Sequence, residues 1–251
     1  MFSTIILGAG KSTRMKANKS KLLFDIAGKP IITHIIDAVR QAKCSEIICV
    51  VNRESKDLVQ LLKEHKVNIA FQKKSNGTAG AAEAGSKIIS SKNRKVLILC
   101  GDAPFVTTQS IKSMIKKISN ADACVGTVEL DIPKGYGRII RQGNKISEIV
   151  EERDSSIEQR AIREVNTGVI SINNSILNKY ISEIKNNNVK KEFYLTDIIK
   201  ILISKNYKVN TFKFDDELEV TGVNSKVDLV NLEKKYLRRK AERLLEAGTL
   251  V

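Results

Sequence analysis

The chain has 251 residues, 42% hydrophobic and 28% charged, a composition that excludes global disorder and fits one or two globular domains. Fourteen glycines and three prolines exclude a collagen-like or low-complexity chain, and 43 Lys and Arg against 28 Asp and Glu leave a net charge of +15. Such an excess suits a polyanionic partner (nucleic acid, a membrane surface or a phosphate-rich small molecule) without choosing among them.

The chain opens on a short apolar stretch with no basic residue before it, running straight into a glycine loop, so residues 4–7 read as a first strand and not as a signal peptide. A helix follows over Ile31–Gln41, with Pro30 at its first turn, then a strand over Glu46–Val51 and a helix over residues 56–65. Residues 67–71 form a third strand, 79–89 a helix, and 96–100 a fourth strand whose almost purely apolar sequence suits burial on both faces. This alternation predicts a parallel sheet covered by helices. After Ala121 the pattern changes: Ala123–Glu129, 137–141, Lys145–Val150 and 166–172 read as an antiparallel insertion on that sheet. A helix over Asp197–Ser204, a strand over 208–214 and a final helix over 228–247 complete the chain. In that last helix Leu229, Leu232, Tyr236, Leu244 and Leu245 oppose a basic outer face. One unit is expected, residues 1–227 as the main domain with 228–251 as a helix packed on it. No apolar run approaches the ~20 residues of a membrane helix. Four cysteines without a C-x-x-C pair, and two histidines, speak against a zinc site or disulfide framework; a reduced, cytoplasmic protein is expected.

The strongest local signal is Leu7-Gly8-Ala9-Gly10-Lys11-Ser12-Thr13-Arg14-Met15, directly after the first strand. Glycines there let backbone N–H groups approach an anion with no Cβ in the way. A Walker A loop needs glycine where Ile5 stands, and a Rossmann fingerprint needs one where Thr13 stands. The stretch fits instead L-x-x-G-x-x-T-R-M with a lysine, Lys21, a few residues on. A triphosphate that loses pyrophosphate needs a cation on the leaving phosphates, a role for Arg14 with Lys11 nearby, and another at the phosphorus under attack, a role for Lys21.

Further motifs follow in order: Gly28-Lys29-Pro30; Gln72 with Gly77-Thr78; Cys100-Gly101-Asp102-Ala103-Pro104; Gly135-Tyr136-Gly137-Arg138-Ile139; Ile149-Val150-Glu151; Glu164-Val165-Asn166-Thr167-Gly168; Glu192-Phe193-Tyr194-Leu195-Thr196-Asp197; and Val220-Thr221-Gly222-Val223-Asn224. With the glycine loop, this string resembles the sugar-phosphate nucleotidyltransferases, most closely the uridyltransferase domains of bacterial N-acetylglucosamine-1-phosphate uridyltransferases. The resemblance implies a Rossmann-like, mixed and mostly parallel sheet with an antiparallel sugar-binding insertion, and Mg2+-dependent transfer of UMP from UTP to N-acetylglucosamine 1-phosphate. It places the nucleotide on Leu7, Gly8, Ala9, Gly10, Gln72, Gly77 and Thr78, and the phosphates on Arg14 and Lys21. The sugar falls to Gly137, Glu151 and Asn166, and Mg2+ to Asp102 and Asn224. Two hard-oxygen ligands with phosphates and water completing an octahedron is what that ion prefers.

The chain departs from the family's usual residues at Gly8 (Ala), Ser12 (Gly), Ser20 (Pro), Cys100 (Tyr) and Ala79-Gly80 (Gly-His). Bifunctional members continue into a left-handed β-helix acetyltransferase, and no such activity is expected of this sequence. Another sugar phosphate, another NTP or a non-catalytic relative remain alternatives, and a homo-oligomer is left open. Nucleic-acid binding ranks low, because aromatics are 5%, Trp is absent and the lysines are dispersed.

Overall fold

The computed structural model describes residues 1–10, 12–90 and 94–249. Strands β1 (Phe2–Leu7), β4 (Glu46–Val51), β5 (Asn68–Phe71) and β6 (Lys95–Cys100) alternate with helices α1 (Ile31–Gln41), α2 (Lys56–Glu64) and α3 (Thr78–Ser86); a two-residue hairpin, β2 (Asp25–Ile26) and β3 (Lys29–Pro30), precedes α1. The second half holds α4 (Thr108–Lys117), β7 (Ala123–Glu129), β8 (Arg138–Gln142), β9 (Lys145–Val150), α5 (Ile157–Arg160), β10 (Glu164–Asn173), α6 (Asn174–Tyr180), α7 (Asp197–Ser204), β11 (Val209–Lys213) and α8 (Lys226–Glu246).

Among the described residues all of these strands but β2 and β3 form one nine-stranded sheet in the order β11-β7-β10-β6-β1-β4-β5, with the β8–β9 hairpin attached to β10. β6, β1, β4 and β5 run parallel. Their apolar side chains alternate between two cores, as the two-residue period of a strand requires. Ile6, Cys49, Val51, Leu97 and Leu99 face the layer holding α1, α2 and α4, whereas Ile5, Ile48, Val50, Val96 and Ile98 face α3, α6 and α7. The result is three layers, helix on sheet on helix.

Strand direction changes at β10, which lies antiparallel to both β6 and β7. All four strands expected in the insertion therefore join this sheet, β7 and β10 along its main order and the β8–β9 hairpin as a branch from β10. That hairpin is held by a buried arginine: Arg138 donates from Nη2 to Glu152 Oε2 (3.2 Å) and from Nε to the Arg160 carbonyl (3.3 Å). Three helices, α4, α5 and α6, have no counterpart in the sequence reading. Of these, α4 is the polar stretch TQSIKSMIKK, started by Thr107, whose hydroxyl caps the Ser110 N–H at 3.1 Å. The final helix packs through buried Leu232 and through Tyr236, which stacks on Phe105 with ring centroids 3.9 Å apart. Leu244 and Leu245 were expected on the same packed face, but they are 37% and 53% exposed because the helix outruns the body beneath it. No helix of the described residues is long and apolar enough to cross a membrane.

Candidate active site

Parallel strands end on one edge, and the turns that leave them open a crevice there. At the end of β1 the Gly101 N–H donates to the Leu7 carbonyl (3.0 Å) and the Gly8 N–H to the Val50 carbonyl (2.8 Å), so the loop crosses the ends of both neighbours. A Cβ on Gly8 would lie 3.0 Å from Leu22 Cδ1 and 3.0 Å from the Val50 oxygen, which explains why this chain has glycine where alanine is usual. A cavity of about 470 Å3 opens above, lined by Leu7, Gly8, Ala9, Gly10, Lys21, Gln72, Gly77, Thr78 and others. Its far wall is rigid. Gly77 has φ of +118°, and a Cβ there would sit 2.4 Å from the Phe193 carbonyl oxygen, so only glycine fits. Phe193 brackets it, donating from N–H to the Asn76 carbonyl (2.7 Å) and accepting from the Ala79 N–H (2.9 Å).

A second cavity of about 390 Å3 adjoins the first, lined by Gly137, Glu151, Asn166, Arg14 and Asn224 among others. Asn166 precedes a register shift between β10 and β7, and its N–H bonds the Gly137 carbonyl at 2.8 Å. Its own Oδ1 accepts from the Gly168 N–H (3.1 Å), which leaves the Nδ2 donors to face the cavity. Glu151 Oε1 accepts from the Thr196 hydroxyl at 3.1 Å. Burial pushes the Glu151 carboxyl above its ordinary pKa, and neighbouring Asp197 and Asp154 add to this.

The two cavities share Leu7, Thr78, Cys100 and Asp102. At this junction the Lys21 ammonium pairs with the Asp102 carboxylate and donates to Asn224 Oδ1 (3.1 Å), while Arg14 Nη2 reaches the same Oδ1 at 2.8 Å. Asn224 is free for this because Ser225 caps α8, in a capping box with Asp228. The Val223 N–H bonds the Asp102 carbonyl at 2.9 Å, locking the two loops together. Two hard oxygens, from Asp102 and Asn224, thus converge on one cation. Among the described residues no group of three or more His, Cys, Asp and Glu side chains forms a metal cluster, so a divalent ion here would draw its other ligands from phosphate and water.

Every candidate residue named from the sequence lines one cavity or the other. Arg14 stands with the second and not with the glycine loop, and Lys11 lies outside the described residues. Cys100 is pushed up to about 12 by burial and by Asp102, so it is a neutral thiol packed on Gly168. Sequence reading missed three supports. The Ser12 hydroxyl accepts the Lys21 N–H (3.2 Å), Thr196 holds Glu151, and Asn76 touches Gln72. The motif at residues 192–197 pointed to the region of Thr196 without a role; nothing pointed to Asn76.

Residues 4–138 match the family described as the MobA-like NTP transferase domain. The chain belongs to this nucleotidyltransferase family. It is 38% identical over 250 residues to the bifunctional protein GlmU of Carboxydothermus hydrogenoformans, covering 98% of this chain and 55% of that protein. It is 36% identical over 247 residues to GlmU of Pseudoalteromonas atlantica, covering 98% and 54%. The chain thus spans about half the length of the curated relatives it matches. In structure it resembles the candidate glucose-1-phosphate thymidylyltransferase of Bacillus anthracis solved with sucrose, at TM-score 0.74 and 20% identity over 93% of this chain and 94% of that one. A UDP-glucose pyrophosphorylase solved with UDP-glucose follows at TM-score 0.72 and 18% identity, over 95% and 99%. These likenesses show the nucleotide-diphospho-sugar transferase fold.

Proposed function

We propose that the chain transfers UMP from UTP to N-acetylglucosamine 1-phosphate, giving UDP-N-acetylglucosamine and pyrophosphate, with Mg2+ as cofactor. The observation that carries this reading is the meeting of Lys21, Arg14, Asp102 and Asn224 where two cavities join. The glycine-loop cavity takes the uridine, with Gln72 and the Gly77–Thr78 backbone against the base. Gly137, Glu151 and Asn166 hold the amino sugar, the carboxylate accepting from a hydroxyl and the Asn166 amide donating. A phosphate oxygen of the sugar attacks the α-phosphorus, the bond to the β-phosphate oxygen breaks, and pyrophosphate leaves. No protein nucleophile is needed, so the chain contributes position and charge. Lys21 turns from Asp102 to the α-phosphate, and Arg14 holds the leaving phosphates. Asp102 and Asn224 would hold Mg2+, which would supply charge neutralisation on the phosphates. Such a product feeds cytoplasmic peptidoglycan precursor synthesis.

Pyrophosphate release with four NTPs and several sugar 1-phosphates tests the reading. UTP with the acetamido sugar should give the highest kcat/KM. Equal efficiency with glucose 1-phosphate removes the named sugar, and no release with any pair removes the reaction.

A further inference from the structure

We infer that Asn76 is a positioning residue that sets the base preference of the glycine-loop cavity, by taking up the second N–H of the Gln72 amide so that only its oxygen is left for the base. The inference rests on the reading that this cavity takes a nucleoside triphosphate.

An amide nitrogen carries two hydrogens and its oxygen carries none. Gln72 Nε2 donates to the Gly77 carbonyl at 3.0 Å and to Asn76 Oδ1 at 3.1 Å. The first bond fixes the assignment, because a backbone carbonyl only accepts and the atom facing it must be the nitrogen. That carbonyl does not move freely, since Gly77 is bracketed by Phe193 on both sides. Both hydrogens of Gln72 are therefore used within the protein. Among the described residues no donor reaches Gln72 Oε1, and Gln72 lines the cavity. The base meets an acceptor only.

An acceptor at this place selects a pyrimidine with N–H at ring position 3, as in uracil, over one with a bare nitrogen there, as in cytosine. Asn76 holds its position because residue 80, in the first turn of α3, is glycine: a Cβ there would lie 2.1 Å from Asn76 Oδ1. The departure at Ala79-Gly80 thus makes room for the side chain that occupies the second N–H of Gln72. Without Asn76, Gln72 stays on the Gly77 carbonyl but one N–H is released, and the amide can offer cytosine N3 a donor beside the oxygen it offers uracil.

Equilibrium binding of UTP and of CTP to the full chain, by titration calorimetry, tests this without a sugar acceptor. The unaltered protein should favour UTP. Asn76→Leu should reduce the UTP:CTP affinity ratio at least tenfold, chiefly by tightening CTP. Gly80→Ala, which evicts the same side chain, should do likewise, and Asn76→Asp, which still accepts, should keep the ratio. A role in packing alone would weaken both nucleotides together and leave the ratio intact. An unchanged ratio in folded Asn76→Leu and Gly80→Ala overturns the inference, as does equal binding of UTP and CTP by the unaltered protein. If the ratio responds but no sugar phosphate yields pyrophosphate, the proposed reaction fails and the inference stands. If uridylyl transfer is found with an unresponsive ratio, the inference alone fails.

Discussion

The two cavities draw on different parts of the sheet. The glycine-loop cavity is lined from the turn after β1 and the approach to α3, with Gly8, Gly10 and Gly77 among its residues, whereas the second is lined from the β8–β9 hairpin and β10, with Glu151 and Asn166 among its residues. Strand direction accounts for this. Parallel β1, β4 and β6 all end on one edge, and their turns supply carbonyl and N–H groups there. Antiparallel β10 crosses that edge in mid-strand, so it offers Asn166 from a bulge, while Glu151 follows the end of β9 and Gly137 precedes β8. The first cavity should be sensitive to an added Cβ at Gly77, and the second to a lost functional group at Glu151 or Asn166.

The largest effect is expected where the walls meet. Asp102→Asn should lower kcat by about 10²–10³, the cost of removing one charge-stabilising group, with an unchanged circular dichroism spectrum. Near-normal turnover in that variant would mean that the junction is not the reaction centre. Next comes Gly77→Ala in the first cavity, where positive φ and contact with Phe193 together should cost about 1–3 kcal/mol in thermal or urea unfolding. The KM for UTP should rise with it and that for the sugar phosphate should not. Glu151→Ala is the converse, with an expected rise of about tenfold in the sugar-phosphate KM, consistent with one lost hydrogen bond to a charged group, and little change for UTP. A parallel rise in both constants would erase the division.

A subtler difference lies in stability. Because burial raises the folded-state pKa of Glu151, its favourable contribution is present below the ordinary carboxylate pKa and is lost as pH rises through the raised value. Glu151→Gln should therefore raise Tm at neutral pH, and the gain should fade in acid. The smallest effect is expected at Cys100, shared by both cavities: Cys100→Ala should leave kcat within about threefold, because a thiol raised to about 12 is uncharged at neutral pH. A loss far beyond that would give the sulfur a chemical role.

Much of this was legible in the sequence, and the misses have physical causes. Ile31, Ile32, Ile35, Ile36 and Val39 recur at helical spacing and are all buried, so α1 was found with its limits. In α4 the buried apolar residues are Ile111 and Met114, too few to mark a face among polar neighbours. Alternation showed that 123–129 and 166–172 are strands. It could not show that both join the main sheet, because pairing partners are written in tertiary contacts. The same holds for the site. The glycine loop after the first strand led to Gly8, and the ordered motifs that carry the family resemblance led to Gly77, Asp102 and Glu151. Asn76 acts through an acceptor that a glycine four residues later leaves room for, and neither residue advertises that relation alone.

The pairing of Lys21 with Asp102 and Asn224 has a consequence for how the protein is made. Many metalloproteins cannot complete folding until their ion arrives, because the ligand charges repel one another without it. Here the polypeptide supplies its own counter-cation to the same oxygens. Under the proposed function, folding of the chain then does not wait on the ion, and protein made without magnesium should regain activity on its addition with no new synthesis.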